Sequence, residues 1–222
     1  MKNVFTLPDQ EAVVDLQAYL QRAKRLDPEG LVRLRAFGPI LAAYVAPIFA
    51  GSLMDGGPTV LGLRTMQLAT DGEVDAVVPI SAVLDRLARI NDPGWDGRST
   101  LEVVLPESER ASWAGISPPR AGWEPAETIP EEVLTQLAKD GIEEVKTTLP
   151  ESVGGPIAAR IRGEIWGRGI AQDMRIPTGA AFVAAGLGFL TQGENVQVYF
   201  TDGWVRLSAE HGHVLAKLAR RF

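Results

Sequence analysis

The sequence predicts an α+β protein, with an N-terminal antiparallel sheet of about five strands and two helices, then a C-terminal three-helix unit with a β-hairpin. Apolar residues alternate with polar ones in several early segments, which is typical of strands. Apolar residues recur at helical spacing mainly after residue 128. Turns rich in glycine, proline and aspartate separate the segments. We predict an α+β domain over 1–105, a Pro/Trp-containing linker packed on both domains over 106–127, and a helical domain with a hairpin over 128–222.

The first helix of the N-terminal domain starts after Pro8, where Asp9 is a suitable N-cap. Its apolar stripe follows the 3-4-3 spacing of a buried helix face. The residues of this stripe are Val13, Leu16, Leu20 and Ala23. The turn Asp27-Pro28-Glu29-Gly30 ends the helix.

Five strands follow in the predicted N-terminal sheet, and short turns between the first four indicate an antiparallel meander. The strands are expected over 31–37, 40–49, 59–68, 73–78 and 100–105, with turns at 55–58 and at Asp71-Gly72. Ser81 is expected to cap a short second helix whose apolar side includes Val83, Leu84, Leu87 and Ile90.

Residues 106–127 have the composition of a linker, with four prolines and few helix signals. Trp113 and Trp123 lie in this segment, and each ring needs an apolar surface to cover it. We therefore expect the linker to pack on both domains.

Three helices are predicted for the C-terminal domain. The first begins near Thr128 and Glu131, which have capping-box spacing, and Gly141 is a point at which it could split. Its buried stripe is expected to contain Leu134, Leu137, Ala138, Ile142 and Val145. The second helix is expected over 156–166 and the third over 179–190.

The strongest local signal is a hairpin around Asp202-Gly203, a dipeptide typical of a type I′ turn. This turn would pair Phe200 with Val205 and Val198 with Leu207 on an apolar face. It would place Tyr199 opposite Arg206, and Trp204 beside Thr201, on the other face. The tail from Val214 is expected to be a short helix or a strand.

The composition lowers the expectation of enzymatic chemistry. The chain has no cysteine and only two histidines, although these side chains supply much of the nucleophilic, proton-transfer and metal-ligand chemistry near pH 7. We predict no catalytic residues and no cofactor. No apolar segment near the N-terminus is long enough for a signal peptide, so we expect a cytoplasmic protein.

The charge is unevenly distributed. The net charge is −6, with −8 over residues 1–150 and +2 over residues 151–222. The acidic first part argues against wrapping nucleic acid, and the second part is only weakly basic.

Three segments resemble a group of uncharacterised actinobacterial proteins of unknown function. These are 119–124 (PRAGWE), 177–182 (PTGAAF) and 203–208 (GWVRLS) with 212–215 (GHVL). The resemblance covers roughly the last half of the chain. It implies a bacterial cytoplasmic setting and assigns no residue a role.

His211 and His213 are candidate metal ligands, because residues i and i+2 of a strand point to the same face. A third ligand would have to come from elsewhere. The alternative is a pair of exposed imidazoles in a turn around Gly212. On the first interpretation the chain is a metal- or small-molecule-binding protein.

Nucleic-acid binding is a second alternative, because three helices followed by a hairpin is the element order of a winged helix. The basic residues that would serve it are Arg160, Arg162, Arg168 and Arg206. The third helix, however, has no charged or basic side chain to show to a groove, and is expected to be buried. Because its residues are small, this helix could alternatively line a pocket for a lipid or aromatic ligand.

We favour a non-catalytic protein that acts through protein–protein contacts or self-association. The candidate interface residues are Tyr199, Trp204 and Arg206 on the outer face of the hairpin, since Tyr, Trp and Arg are enriched at interface hot spots. The same rings could instead pack on the chain's own first domain. The expected partner is an unknown protein or a second copy of the chain, not nucleic acid and not a membrane.

Overall fold

A computed structural model describes residues 3–49, 57–88, 98–115, 117–149 and 154–217. It is an α+β structure, which confirms the predicted fold class. The chain is divided into two compact units. Unit 1 comprises Met1–Val45 and Leu63–Gly115, and unit 2 comprises Ala46–Gly62 and Ile116–Phe222. None of the described helices is long and apolar enough to cross a membrane.

The helices and strands occur in the following order: β1 Val4–Leu7, α1 Gln10–Leu26, β2 Leu31–Ile48, β3 Thr59–Pro79, α2 Ile80–Leu87, β4 Leu101–Val104, β5 Glu124–Pro130, α3 Glu131–Thr148, α4 Gly155–Trp166, α5 Thr178–Gly186, β6 Asn195–Thr201, β7 Trp204–Ala209 and β8 Gly212–Lys217. A 3₁₀ helix at Ser112–Gly115 carries the buried Trp113. One sheet has the order β1-β4 and the other the order β2-β3-β8-β7-β6-β5.

Helix α1 of unit 1 begins as predicted. The Asp9 carboxylate accepts a hydrogen bond from the Ala12 amide at 2.9 Å, so Asp9 is the N-cap. All four residues of the predicted apolar stripe are buried. Tyr19 widens this stripe, and its hydroxyl donates to the carbonyl oxygen of Ala43 on β2 at 3.2 Å.

The strands of unit 1 are fewer and longer than predicted. Strand β2 continues through the expected break, although Gly38 adopts φ +59° and Pro39 lacks an amide hydrogen. Strand β3 continues through Asp71-Gly72, so the turn predicted there was wrong. Asp55 and Gly56 of the turn predicted at 55–58, and Ile90, lie outside the described residues.

Short strands at the two ends of unit 1 pair with each other. Strand β1, which was not predicted, pairs antiparallel with β4 in the register Phe5↔Val103 and Leu7↔Leu101. All four of these side chains are buried. The predicted strand over 100–105 therefore exists as β4.

In unit 2, part of the predicted linker is a strand. Strand β5 pairs antiparallel with β6, with Thr128 opposite Gln197. The capping box predicted at Thr128 was therefore wrong, and Pro130 stands at the N-cap of α3 without a side-chain hydrogen bond. Glu131 instead accepts from the Thr135 hydroxyl at 2.6 Å and from the Gly193 amide at 3.2 Å, and these two bonds lower its pKa.

Helix α3 is continuous through Gly141, so the helix does not split there. Its buried residues are Leu134, Ala138 and Gly141, whereas Ile142 is exposed. Helix α5 ends four residues before the predicted limit, because Gly188 adopts φ +67° and stops the helix. Most of α5 is buried, as its apolar sequence predicts.

The hairpin has the predicted register, with Phe200 opposite Val205 and Val198 opposite Leu207. The predicted turn type was wrong, because a type I′ turn requires positive φ at both central residues and only Gly203 has it. Strand β8 then pairs antiparallel with β7, so that β7 has a neighbour on each side. The tail is a strand up to Lys217, and residues 218–222 lie outside the described part of the chain.

Candidate functional site

One face of the β6-β7-β8 sheet carries most of the residues that the sequence singled out. Side chains alternate between the two faces of each strand, so residues directly opposite each other share a face. One row of this face is Thr201, Trp204 and Lys217, the next is Tyr199, Arg206 and Leu215, and the third is Gln197, Ser208 and His213. We call these nine residues the aromatic–basic face.

Arg206 is at the centre of the aromatic–basic face and lies against two aromatic rings. Its guanidinium carbon is 4.2 Å from the ring centroid of Tyr199 and 4.8 Å from that of Trp123. Both distances are within the range of cation–π attraction. The cation is therefore held by ring contacts from the neighbouring strand and from the segment before β5.

Trp123 is fixed by its own backbone segment. The indole Nε1 donates to the carbonyl oxygen of Pro119 at 2.9 Å. Gly122 adopts φ +79°, a conformation that other residues rarely take, immediately before the ring. The loop thus places an oriented indole beside Arg206.

The Nε of Arg206 is buried and has no hydrogen-bond acceptor among the described residues. Arg175 offers a comparison within the same unit, because its guanidinium carbon lies 3.7 Å from the ring centroid of Phe200. Arg175 also binds the carboxylate of Asp173 through two nitrogens, and this contact lowers the pKa of Asp173. Arg206 has the aromatic contacts but lacks an equivalent carboxylate.

Trp204 is nearly buried, although it lies beside the turn of the hairpin. Its side chain is 6% exposed, and the Lys217 ammonium lies 5.7 Å from its ring centroid. Tyr199 and Arg206 are half-buried. The three predicted interface residues thus share one face. Trp204 is buried there, whereas Tyr199 and Arg206 are partly exposed to solvent.

The two histidines are placed differently. His211 is exposed in the turn before β8, and His213 lies in the strand, where its Nδ1 is 3.1 Å from the Ser208 hydroxyl. Among the residues that the structure describes, no group of three or more His, Asp or Glu side chains is arranged to hold a metal ion. The metal site stays a prediction.

The other basic residues proposed for nucleic acid are not gathered on the aromatic–basic face. Arg160 pairs with Glu164 on α4 at 3.8 Å, and Arg168 pairs with Glu144 at 2.6 Å. Arg162 is exposed on α4. Two of these three cations already have carboxylate partners.

Sequence reasoning did not connect Trp123 or Lys217 with the candidate site. Trp123 was recognised as a ring in need of cover, but no local pattern links it to a strand more than 80 residues later. Lys217 could have been found, because period-two alternation from His213 places it on the same face. The sequence did not distinguish a helix from a strand in the tail, so this alternation could not be used to place Lys217.

Two family models match the chain, and each covers slightly less than half of it. Residues 1–107 match DUF8010 and residues 118–221 match DUF8185, both described as domains of unknown function. No curated protein matches the sequence.

Among solved structures, the chain is similar to DNA polymerase sliding clamps. The clamp from Pseudomonas aeruginosa, solved with a ligand, is 13% identical with a TM-score of 0.51, over 99% of this chain and 65% of the clamp chain. The clamp from Caulobacter crescentus is 12% identical with a TM-score of 0.51, over 99% and 66%. The chain thus spans about two thirds of the length of these clamps, and at this identity the similarity is one of fold.

Proposed function

We propose that this chain is a non-catalytic protein of the bacterial cytoplasm that acts through contacts with other polypeptides, either a partner protein or further copies of itself. The observation that carries the proposal is the stack of Tyr199, Arg206 and Trp123 on one sheet face. Tyr, Trp and Arg dominate the energetics of protein interfaces, because they bury large areas and carry oriented hydrogen-bonding groups.

The fold similarity supports the same class of function. The similar solved structures with a TM-score of 0.51 are described as DNA polymerase sliding clamps, so their names associate this fold with another protein, the polymerase. A fold that is associated with a polymerase there is compatible with protein contacts here. The resemblance of three sequence segments to actinobacterial proteins supports the bacterial setting.

Site-specific photo-crosslinking in the native host tests the proposal. A benzophenone amino acid replaces Tyr199, which is half-buried on the aromatic–basic face, and in a matched protein it replaces Ile157, which is 50% exposed on α4. We expect crosslinks to one defined polypeptide, or to a second copy, from position 199 and not from position 157. Sedimentation of the purified chain over a wide concentration range distinguishes self-association from binding of another protein. A chain that stays monomeric and gives no crosslink from position 199 would refute the proposal.

A further inference from the structure

We propose that Arg206 is the docking point for a carboxylate of the partner polypeptide, and that Tyr199 and Trp123 hold its guanidinium ready for that carboxylate. This inference rests on the proposed function, because it names the chemistry of the group that the aromatic–basic face would bind.

The first argument is the contrast with other arginines. Within the described residues, four arginines bind a carboxylate with a nitrogen–oxygen distance below 3 Å. These pairs are Arg33 with Asp75, Arg64 with Asp15, Arg168 with Glu144, and Arg175 with Asp173. Arg206 lacks a carboxylate partner in the described part of the chain, and its buried Nε has no acceptor there. Because the Nε is buried, an arriving carboxylate would bind the two Nη nitrogens, which are not among the buried unpaired atoms.

The second argument is geometric. Two aromatic rings lie against the guanidinium. Ring contacts of this kind leave the edge of the group for further bonding, since its hydrogen bonds form in its plane. A carboxylate presents two oxygens in one plane, which match two N–H groups of the guanidinium edge. Because the ring contacts already restrict the side chain, little conformational freedom remains to be lost on binding.

The third argument is charge. The nine residues of the aromatic–basic face include Arg206 and Lys217 but no aspartate or glutamate, although the whole chain has a net charge of −6. This face is therefore a local basic surface on an acidic protein, and it complements an acidic segment. A polypeptide is favoured over nucleic acid, because the ring faces turned toward Arg206 are covered and cannot stack on bases.

The experiment uses a defined acidic probe, an acetylated hexaglutamate amide, and the neutral hexaglutamine peptide for comparison. The Nε–H resonance of Arg206 is observed by nuclear magnetic resonance in the full chain as each peptide is added. We expect hexaglutamate alone to shift this resonance with saturation. In Arg206→Lys, which keeps the charge but loses the planar fork, binding followed by tryptophan fluorescence should weaken on the order of tenfold.

The control variant is Arg162→Gln, which removes one exposed positive charge from the same unit outside the aromatic–basic face. It should bind hexaglutamate as the wild type does, whereas Arg206→Gln should not bind measurably. If Arg206→Gln does not fold, the shift in the wild-type chain decides the outcome alone.

Three results would overturn the inference: no shift of the Arg206 resonance, equal weakening in both glutamine variants, or tighter binding of an oligothymidylate than of hexaglutamate. The crosslinking result from position 199 is independent of the probe. If position 199 crosslinks to a defined partner but hexaglutamate does not bind, the carboxylate site is rejected and the proposed function still holds.

Discussion

Gly141 on α3 and Trp166 on α4 are in such close contact that position 141 has no room for a side chain. A β-carbon there would overlap Cζ3 of the indole and lie 2.7 Å from Cη2. The indole cannot easily retreat, because its other contacts include Phe182 of α5, stacked at 4.5 Å between centroids, and it is only 5% exposed. This glycine thus lets α3 and α4 approach each other.

Gly141→Ala should destabilise the protein even though alanine is the better helix former. The helical preference is worth about 1 kcal/mol, whereas overpacking a filled core costs about 1–3 kcal/mol and a fixed ring adds to that cost. We expect a net loss measurable by chemical denaturation. Gly155→Ala on α4, where a β-carbon meets nothing within 4 Å, should be neutral or slightly stabilising. Equal effects of the two substitutions would contradict this view of the helix contact.

The parts of the fold that local chemistry specifies were predictable. The N-cap at Asp9 and the pairing of Tyr199 with Arg206 depend on residues close together in sequence, and both are observed. The pairing of β1 with β4 joins residues about a hundred positions apart, and a four-residue strand gives no periodic signal of its own. Strand β5 was also missed, since Pro125 and Pro130 are tolerated at the edge of a sheet but suggest a linker in sequence.

The candidate site was predictable only within the hairpin. Alternation placed Tyr199, Trp204 and Arg206 on a single face, but it could not show that Trp204 would be nearly covered. It also could not show that Trp123 would lie over Arg206, because that contact depends on the tertiary path of the loop before β5. Burial and long-range contacts, which decide what a face can bind, are properties of the folded chain.

Asp75 should stabilise unit 1 in a pH-dependent manner. Its carboxylate accepts two hydrogen bonds from Arg33 at 2.7 and 2.8 Å, and Arg33 holds its pKa below the usual value. A lowered pKa in the folded state stabilises the protein above the unfolded pKa of about 3.9, and this stabilisation disappears as the pH decreases through the folded pKa. Because the Asp75 side chain is 44% exposed, we expect Asp75→Asn to cost about 1 kcal/mol or less at neutral pH.

Denaturation of wild type and Asp75→Asn at a series of pH values measures this effect. The difference in the free energy of unfolding should shrink as the pH decreases below about 4. Asp71→Asn, at an exposed position of the same strand, should show little difference at any pH. A difference that stays constant with pH would show that the carboxylate charge is not the source of the stability.

Tyr19 should ionise only when the protein unfolds. Its side chain is 2% exposed, and burial raises its pKa well above the ordinary value of 10, with nearby Arg64 acting in the opposite direction. A raised folded pKa means that stability is present below the unfolded pKa and is lost as the pH rises above it. As the pH is raised, the tyrosinate absorbance of the wild type is compared with that of Tyr19→Phe. The part of the absorbance that belongs to Tyr19 should appear at the same pH as the loss of circular dichroism. Tyrosinate absorbance from Tyr19 before unfolding would contradict its burial.

Generic duplex DNA should not bind this chain, even at low salt. Binding to DNA requires several free cations on one surface, since each phosphate contact releases counterions and makes the affinity depend steeply on salt. Helix α3 carries five carboxylates and two lysines, and the cations of Arg160 and Arg168 are paired with Glu164 and Glu144. A gel shift with a random duplex should therefore show no retardation.

Glu144→Gln releases Arg168 and removes one negative charge, so any binding it introduces should be weak and should vanish as salt is added. Wild-type retardation with an affinity that falls steeply as salt is added would instead reveal a basic surface that these pairings do not explain.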